Sequence, residues 1–346
     1  MQLTYYWKKK TILSFVAIIL VVIIHNSAIN QYNISPDFLT NLTTFIHNFF
    51  AYGIGAIAVP IFFFISGISM FRDYRPNLYP QKLKSRIKTL LIPYLIWNTI
   101  GLLFAILYTY TPLSNIISGR EFFEPTIKNI LESIFLYKYN FQFWFLYDLI
   151  IFVILAPIFN IMISKKRLGI IFGVIFLILP NFFNSFLNIN LYFIIFYFLG
   201  CFVGKHYLKL FTSPVTRKIA LIATVCLILT VIIKLLSVYN IIQLDTIPSL
   251  IILITMLTSA WFSVDLFIPN LKQYKFTNEF FPIYALHTYF LATIIKLIYL
   301  FTPKTSLMLL INELISPTLT IVIIIVLARF WHQKLPKSYQ LMFGRK

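Results

Sequence analysis

The amino-acid sequence predicts an all-α integral membrane protein, a polytopic bundle of about ten transmembrane helices. Three observations predict this fold class. Of the 346 residues, 60% are hydrophobic and only 11% are charged, which is more apolar surface than a soluble domain of this size can bury. Apolar runs of roughly 20 residues, the length that crosses a bilayer, recur along the chain. Basic residues are concentrated in alternate connecting segments.

Ten segments have the length and composition of membrane-spanning helices. The run 12–24 consists almost entirely of Ile, Leu, Val and Ala, whereas strands of a membrane β-barrel alternate polar and apolar residues in segments of about ten. The Asn-rich segment 180–190 is also compatible with a re-entrant turn in place of a loop between the fifth and sixth spans. The predicted spans lie near residues 11–30, 50–71, 90–110, 144–163, 169–186, 191–208, 218–238, 247–267, 280–301 and 307–330.

The positions of the basic residues predict the orientation of the bundle. With residues 8–10 in the cytoplasm, 23 of the 29 Lys and Arg residues fall in cytoplasmic segments, and the positive-inside bias then places both termini there. This bias accounts for the net charge of +19 without nucleic acid as a partner. A basic cytoplasmic face attracts anionic membrane lipids or an anionic cytosolic ligand. The densest basic segment, 72–88, either only sets the orientation of the chain in the membrane or forms a phosphate-binding site at the entrance of the bundle.

The chain is expected to form a single transmembrane domain over 1–346. The largest segment outside the membrane, about 111–143, is too short for a separate soluble domain. Cys201 and Cys226 lie in apolar spans, where thiols usually behave as small hydrophobes, so we expect neither a disulfide nor a metal site. The lysines of 8–10 precede a long apolar run, which predicts a retained first span and no cleavable signal peptide.

A histidine in the first span is the first candidate for chemistry. His25 lies about fourteen residues into that span, or ~21 Å along a helix that rises about 1.5 Å per residue, in the outer half of the membrane. Its imidazole exchanges a proton near neutral pH and is less costly to bury than Lys or Arg. The alternative is a hydrogen-bonded structural histidine.

Four further ionisable residues lie in or beside predicted spans. Asp148 follows an aromatic run, and we expect it either to orient His25 or bind a hydroxyl-rich acceptor, or to be a non-catalytic interfacial carboxylate. His287 falls in the cytoplasmic third of the ninth span, so it is not expected to share a site with His25 unless a cavity links the two depths. We expect Glu313 to be structural and His47 to be solvated at the outer surface.

Six segments, spread over most of the chain, resemble motifs of the acyltransferase-3 family of bacterial membrane O-acyltransferases and follow the order that they have in that family. Each motif is weak alone, and their common order carries the resemblance. They are the apolar run ending in His25 (18–25), Val-Pro-Ile-Phe-Phe-Phe-Ile-Ser-Gly (59–67), Arg-Ile-Lys-Thr-Leu-Leu-Ile-Pro-Tyr-Leu-Ile-Trp (86–97), Phe-Trp-Phe-Leu-Tyr (143–147), Phe-Tyr-Phe-Leu-Gly (196–200) and Ile-Tyr-Ala-Leu-His (283–287).

The resemblance implies an enzyme of the bacterial cytoplasmic membrane that moves an acyl group, commonly acetyl, from cytoplasmic acyl-CoA to a hydroxyl of a cell-surface or lipid-linked glycan. It implies that His25 acts as general base or acyl relay and that Arg86 and Lys88 hold the CoA phosphates. Acyl-CoA is then a substrate, and no permanently bound cofactor or metal is expected.

One position departs from the family pattern. The family carries an arginine eleven positions before the histidine, and Ser14 stands there in this chain. Lys10 lies one turn further out and is the nearest replacement, although an ammonium cannot reproduce the bidentate bonding of a guanidinium. We also place Ser66, Trp144 and His287 among the substrate-binding candidates.

Two other functions are compatible with the sequence. A polysaccharide or lipid-linked sugar exporter without acyl transfer would use the aromatic spans as a sugar path, and Ser14 in place of arginine favours it slightly. A proton-coupled transporter would need paired carboxylates in the bundle, for which Asp148 and Glu313 are the candidates. The two halves of the chain show no convincing internal repeat, which weakens the transporter hypothesis.

Overall fold

The computed structural model describes residues 2–112, 121–268 and 275–344, and helices dominate them. A short antiparallel hairpin of β1 (Ser185–Phe186) and β2 (Ile189–Asn190) accompanies the helices. In chain order the α-helices are α1 (Gln2–Ile24), α2 (Phe38–Asn48), α3 (Ala58–Phe71), α4 (Tyr79–Arg86), α5 (Ile92–Tyr110), α6 (Ile127–Phe135), α7 (Trp144–Ile154), α8 (Ala156–Met162), α9 (Lys166–Ile178), α10 (Leu191–His206), α11 (Leu208–Thr212), α12 (Arg217–Val238), α13 (Thr246–Ser263), α14 (Phe280–Phe301), α15 (Ser306–Lys334) and α16 (Pro336–Phe343).

Seven helical segments of the described chain are long and apolar enough to cross a membrane. The fourth predicted span is instead a broken helix, bent by 64° between Ile154 and Ala156. The fifth and sixth predicted spans contain α9 and α10, which have 13 and 16 residues. The chain is therefore a multi-pass, all-α membrane protein, while the total of ten spans and the orientation of the termini stay predictions. The seven segments are Thr4–Gln31, Phe38–Phe71, Pro76–Tyr110, Arg217–Val238, Thr246–Leu266, Phe280–Phe301 and Ser306–Lys334.

The Asn-rich segment between α9 and α10 forms the hairpin. Its two turn residues, Leu187 and Asn188, both have positive φ angles of 51° and 62°, as a two-residue hairpin turn of this hand requires. Asn190 then accepts a hydrogen bond from the backbone N–H of Tyr192 at 3.1 Å and caps α10. The predicted loop between the fifth and sixth spans is thus a tight turn that begins the next helix directly.

Helices α3 and α10 pack with their backbones in contact. A Cβ atom on Gly67 would overlap the carbonyl oxygen of Tyr197, and one on Gly200 would overlap the carbonyl oxygen of Phe64. Small residues permit such close approach between helices in a membrane, where van der Waals packing supplies much of the association energy. The glycine that ends the 59–67 motif is therefore part of the packing between these two helices.

Two buried ion pairs connect distant parts of the chain. Lys9 lies 2.6 Å from Asp265, with both side chains buried, and this pair joins α1 to the segment that follows α13. His47 lies 2.8 Å from Glu313, also buried. The expectation that His47 is solvated is wrong, because the chain supplies a carboxylate partner for it from α15.

The C-terminal helix α16 folds back onto the start of the third span. Trp97 donates a hydrogen bond from its indole N–H to the carbonyl oxygen of Met342 at 2.9 Å. Gly344, with φ of 64°, ends α16 so close to Thr89 that a Cβ atom there would overlap the Thr89 backbone. Between α4 and α5 the backbone forms a wider π-helical turn, Ile87–Leu91, a local form that is frequent at functional sites.

Candidate active site

A cavity of about 310 Å³, here called the first cavity, extends between the basic end of the bundle and the C-terminus of α1. Lys10 and His25 both line it, and they lie about 22 Å apart along a helix that rises about 1.5 Å per residue. Apolar side chains make up most of the wall between these two residues, including Val21, Phe62 and Leu90. The cavity is thus a long, mostly apolar passage with ionisable groups at its two ends.

The basic end of the first cavity combines two cations with several hydroxyl groups. Arg86 and Lys10 line it together with Ser14 and Ser69, and the Lys10 ammonium donates a hydrogen bond to the Ser69 hydroxyl at 3.2 Å. Lys10 therefore occupies the cavity wall one turn from Ser14, where the resemblance placed an arginine. Two point charges in a low-dielectric passage would attract an anionic group strongly.

His25 forms the opposite end of the first cavity. It follows Ile24, the last residue of α1, and its ring contacts Phe141 edge-on at a centroid distance of 5.4 Å. Among the described residues its imidazole has no hydrogen-bond partner.

The rings of His25 and His287 lie together, with centroids 5.2 Å apart. The sequence predicted no shared site unless a cavity links the two depths, and the first cavity, which both residues line, provides that link. Depths counted from the ends of the predicted spans ignore the tilt and offset of real helices. His287 lies about two turns into α14. It is on the same wall of the first cavity as Phe281 and Tyr284. The cavity therefore joins the two histidines.

The hydrogen bonds of His287 indicate its tautomer. Its Nδ1 lies 2.8 Å from the carbonyl oxygen of Tyr284 and 3.1 Å from that of Ile283. Because carbonyl oxygens only accept, Nδ1 carries the hydrogen in the neutral ring, and Nε2 keeps a lone pair. This Nε2 is buried and has no partner among the described residues. A lone pair is thus available beside His25.

A second cavity, of about 540 Å³, lies on the other side of His25. His25 and Gln142 line both cavities, so they form the partition between them. The wall of the second cavity combines aromatic rings, amides, hydroxyl groups and one charge of each sign. Besides the two shared residues it consists of Ser27, Gly101, Phe104, Ala105, Tyr108, Glu121, Lys138, Tyr139, Asn140, Phe141, Thr288, Tyr289 and Ala292.

Gln142 is a site residue that the sequence reasoning missed. It lies in the short 3₁₀ turn Phe141–Phe143 directly before α7, and the Tyr284 hydroxyl holds its backbone carbonyl at 2.7 Å. Its side chain is buried, and the amide Nε2 has no partner among the described residues. An amide within an otherwise apolar, aromatic run was the signal available in the sequence.

The structure brings most of the predicted substrate-binding residues to the first cavity. Ser66, Trp144, Arg86 and Lys10 line it, as does His287. The structure shows that these residues line one cavity, and their roles in binding substrate stay predictions.

Asp148 is not part of either cavity wall. Its side chain is buried in α7, where one carboxylate oxygen accepts a hydrogen bond from the backbone N–H of Asn190 at 3.2 Å. The predicted contact with His25 is not among its hydrogen bonds. Through this oxygen Asp148 connects α7 to the hairpin that starts α10, while its other carboxylate oxygen is buried with no partner among the described residues. Its role in catalysis stays a prediction.

Lys88 is separated from Arg86 in the structure. Arg86 and Leu90 line the first cavity, whereas Lys88 lines a groove shared with α16. Residues two apart on a helix point to nearly opposite sides, so one ligand group cannot bind both side chains from a single face. Arg86 and Lys88 therefore face different cavities, and their predicted role in holding the CoA phosphates stays a prediction.

The fold and the two cavities define a multi-pass membrane protein with a histidine site in its interior. Residues 12–330 match the sequence model of the acyltransferase-3 family, described as an acyltransferase domain. The chain belongs to this family and is an acyltransferase, which confirms the resemblance over nearly its whole length. No curated protein and no solved structure matches the chain in the corresponding searches.

Proposed function

We propose that the chain is an O-acyltransferase of the bacterial cytoplasmic membrane. It would transfer an acyl group, acetyl in the simplest case, from cytoplasmic acyl-CoA to a hydroxyl of a cell-surface or lipid-linked glycan. The observation that carries this proposal is the position of His25, which lines both cavities. A base in that position reaches a donor held in one cavity and an acceptor held in the other.

The first cavity has the features expected of a site for acyl-CoA. The cations of Lys10 and Arg86 at its basic end suit the phosphate groups, and the apolar wall suits the long, thin pantetheine arm. The positive-inside bias predicts that this end faces the cytoplasm, where acyl-CoA is available. A donor bound in this way presents its thioester near His25.

The second cavity has the features expected of a site for a hydroxyl-rich acceptor. Its wall offers the charged groups of Glu121 and Lys138 between aromatic rings such as those of Tyr108 and Phe104. The amide of Asn140 is already hydrogen-bonded to Trp97 and Tyr289. Sites for small polar ligands combine apolar surface with a few placed polar groups in this way. The acceptor hydroxyl would approach His25 from this side.

The reaction needs one proton acceptor and one donor to the developing oxyanion. His25 takes the proton of the acceptor hydroxyl as the oxygen attacks the thioester carbonyl, and it returns that proton to the departing CoA thiolate. The C-terminus of α1 stabilises the imidazolium formed in between. The unpartnered Nε2 of Gln142 donates to the carbonyl oxygen as its negative charge grows. The lone pair on Nε2 of His287 is available to orient the His25 ring, a positioning role.

The test is transfer of label from acetyl-CoA by the full-length protein in membranes. We expect His25→Ala to abolish transfer, because no other described residue that lines both cavities is a base. His332→Ala is the matched control, since His332 is exposed on the last turn of α15, and it should retain full activity. Comparable elution of both variants on size exclusion shows that they are folded.

Full activity of His25→Ala would contradict the proposal. In a deletion strain, loss of acyl groups from the surface glycan supports it. Unchanged acylation with less surface glycan would instead support the exporter function.

A further inference from the structure

A groove of about 570 Å³ lies between the start of the third span and the C-terminal helix α16, apart from both cavities. Three lysines line it, namely Lys84, Lys88 and Lys337, and its wall contains no acidic residue. None of the three ammonium groups has a hydrogen bond or ion pair with another part of the described chain. The other wall residues are Gln81, Ser85, Thr89, Ile92, Gln340, Leu341 and Gly344.

Two helical faces meet in this groove. On one side, 81, 84, 85 and 88 follow the spacing of a single helix face, and on the other side 337, 340, 341 and 344 repeat it. The convergence is fixed, because Gly344 ends α16 in contact with the backbone of Thr89. The docking of α16 therefore brings Lys337 next to Lys84 and Lys88.

We propose that this groove binds the phosphate of an anionic phospholipid. The ammonium groups and the amides of Gln81 and Gln340 provide donors for phosphate oxygens. Ile92 begins the apolar helix α5, and the exposed Leu341 lies on α16, so the groove also provides apolar contacts where acyl chains would leave the headgroup. The positive-inside bias places the groove at the cytoplasmic leaflet, whose anionic lipids attract clustered lysines.

The test compares lipid retained by two purified full-length variants with equal loss of charge. The triple variant Lys84→Gln, Lys88→Gln and Lys337→Gln removes the groove cations. The control variant Lys165→Gln, Lys166→Gln and Arg167→Gln removes three exposed cations before and at the start of α9. Phosphatidylglycerol binding is measured by native mass spectrometry, with phosphatidylcholine as the zwitterionic comparison.

We expect the groove variant to bind phosphatidylglycerol roughly hundredfold more weakly, about fivefold for each ammonium group, while the control keeps the affinity of the parent protein. Equal retention by the two variants would overturn the proposal. Displacement of the lipid by glycerol phosphate at equal concentration would overturn the lipid assignment, since the groove would then prefer a soluble phosphate compound. The result does not depend on acyl transfer, so it stands or fails separately from the proposed function.

Discussion

At the residue scale, the proposed chemistry depends on the two residues that line both cavities. His25 contributes a ring with no described hydrogen-bond partner, and Gln142 contributes a buried amide that is also without one. A buried polar group without a partner costs free energy in the folded protein. In the proposed mechanism the two substrates supply the missing hydrogen bonds of both groups.

Gln142→Leu tests the role of the amide directly. Leucine keeps a similar volume but cannot donate a hydrogen bond, so we expect kcat for acyl transfer to fall by about 10²- to 10³-fold, the usual loss when one oxyanion donor is removed. KM for acetyl-CoA should change little, because the Gln142 amide bonds to negative charge that develops on the carbonyl oxygen only in the transition state. Steady-state kinetics on the purified protein separate the two constants.

The control for this prediction is Gln31→Leu, which changes an exposed glutamine at the end of the first span. It should leave both constants unchanged. A Gln142→Leu enzyme with normal kcat and a raised KM would show that the amide binds the ground state of the donor and does not stabilise the oxyanion.

At the element scale, the contact between α3 and α10 supports the wall of the first cavity. Ser66 lines that cavity, and the next residue, Gly67, lies against the backbone of α10. The two neighbouring positions, about 100° apart around one helix, thus have different contacts. A change in the helix packing would also move the cavity wall.

Gly67→Ala should destabilise the protein by about 1–3 kcal/mol, since the added methyl group overlaps the Tyr197 backbone and the two helices must separate. The measurement is the midpoint of thermal unfolding in detergent. Gly173→Ala is the control, because its new methyl group would meet only Phe198, at 3.8 Å, an ordinary contact. Equal midpoints for the two variants would show that the helices at Gly67 are not held as close as the structure has them.

At the scale of the whole molecule, the arrangement of the two cavities predicts a sided reaction. Acyl-CoA should be accepted only at the basic end, because Lys10 and Arg86 line the first cavity and the second cavity lies beyond His25. In sealed inside-out vesicles, where the predicted cytoplasmic face is outward, added labelled acetyl-CoA should label the glycan fraction. Sealed right-side-out vesicles should give only the background of His25→Ala vesicles.

Detergent should abolish the difference between the two vesicle preparations, since both ends of the site then face the same solution. Equal labelling of both sealed preparations would contradict the proposed path of the donor or the predicted orientation of the chain.

The sequence was sufficient for the fold class and for much of the site, and its failures have physical reasons. The rarity of ionisable groups in membrane spans identified His25, whereas Arg86 and Lys10 followed from the resemblance to the family. It could not separate Arg86 from Lys88, since their directions depend on where α4 and the π-helical turn begin and end. Nor could it place His287 beside His25, because that contact depends on how distant helices tilt and pack.

The shared wall of the two cavities also has an electrical consequence. In the proposed orientation the first cavity opens toward the cytoplasm and the second toward the outside, so the side chains of His25 and Gln142 would form part of the barrier between the two aqueous sides as well as the reaction site. A shorter side chain at either position would leave a gap in that barrier through which protons could cross. A growth defect of His25→Ala would then report leakage together with lost acylation, whereas His25→Phe, which keeps a bulky ring, would report lost acylation alone.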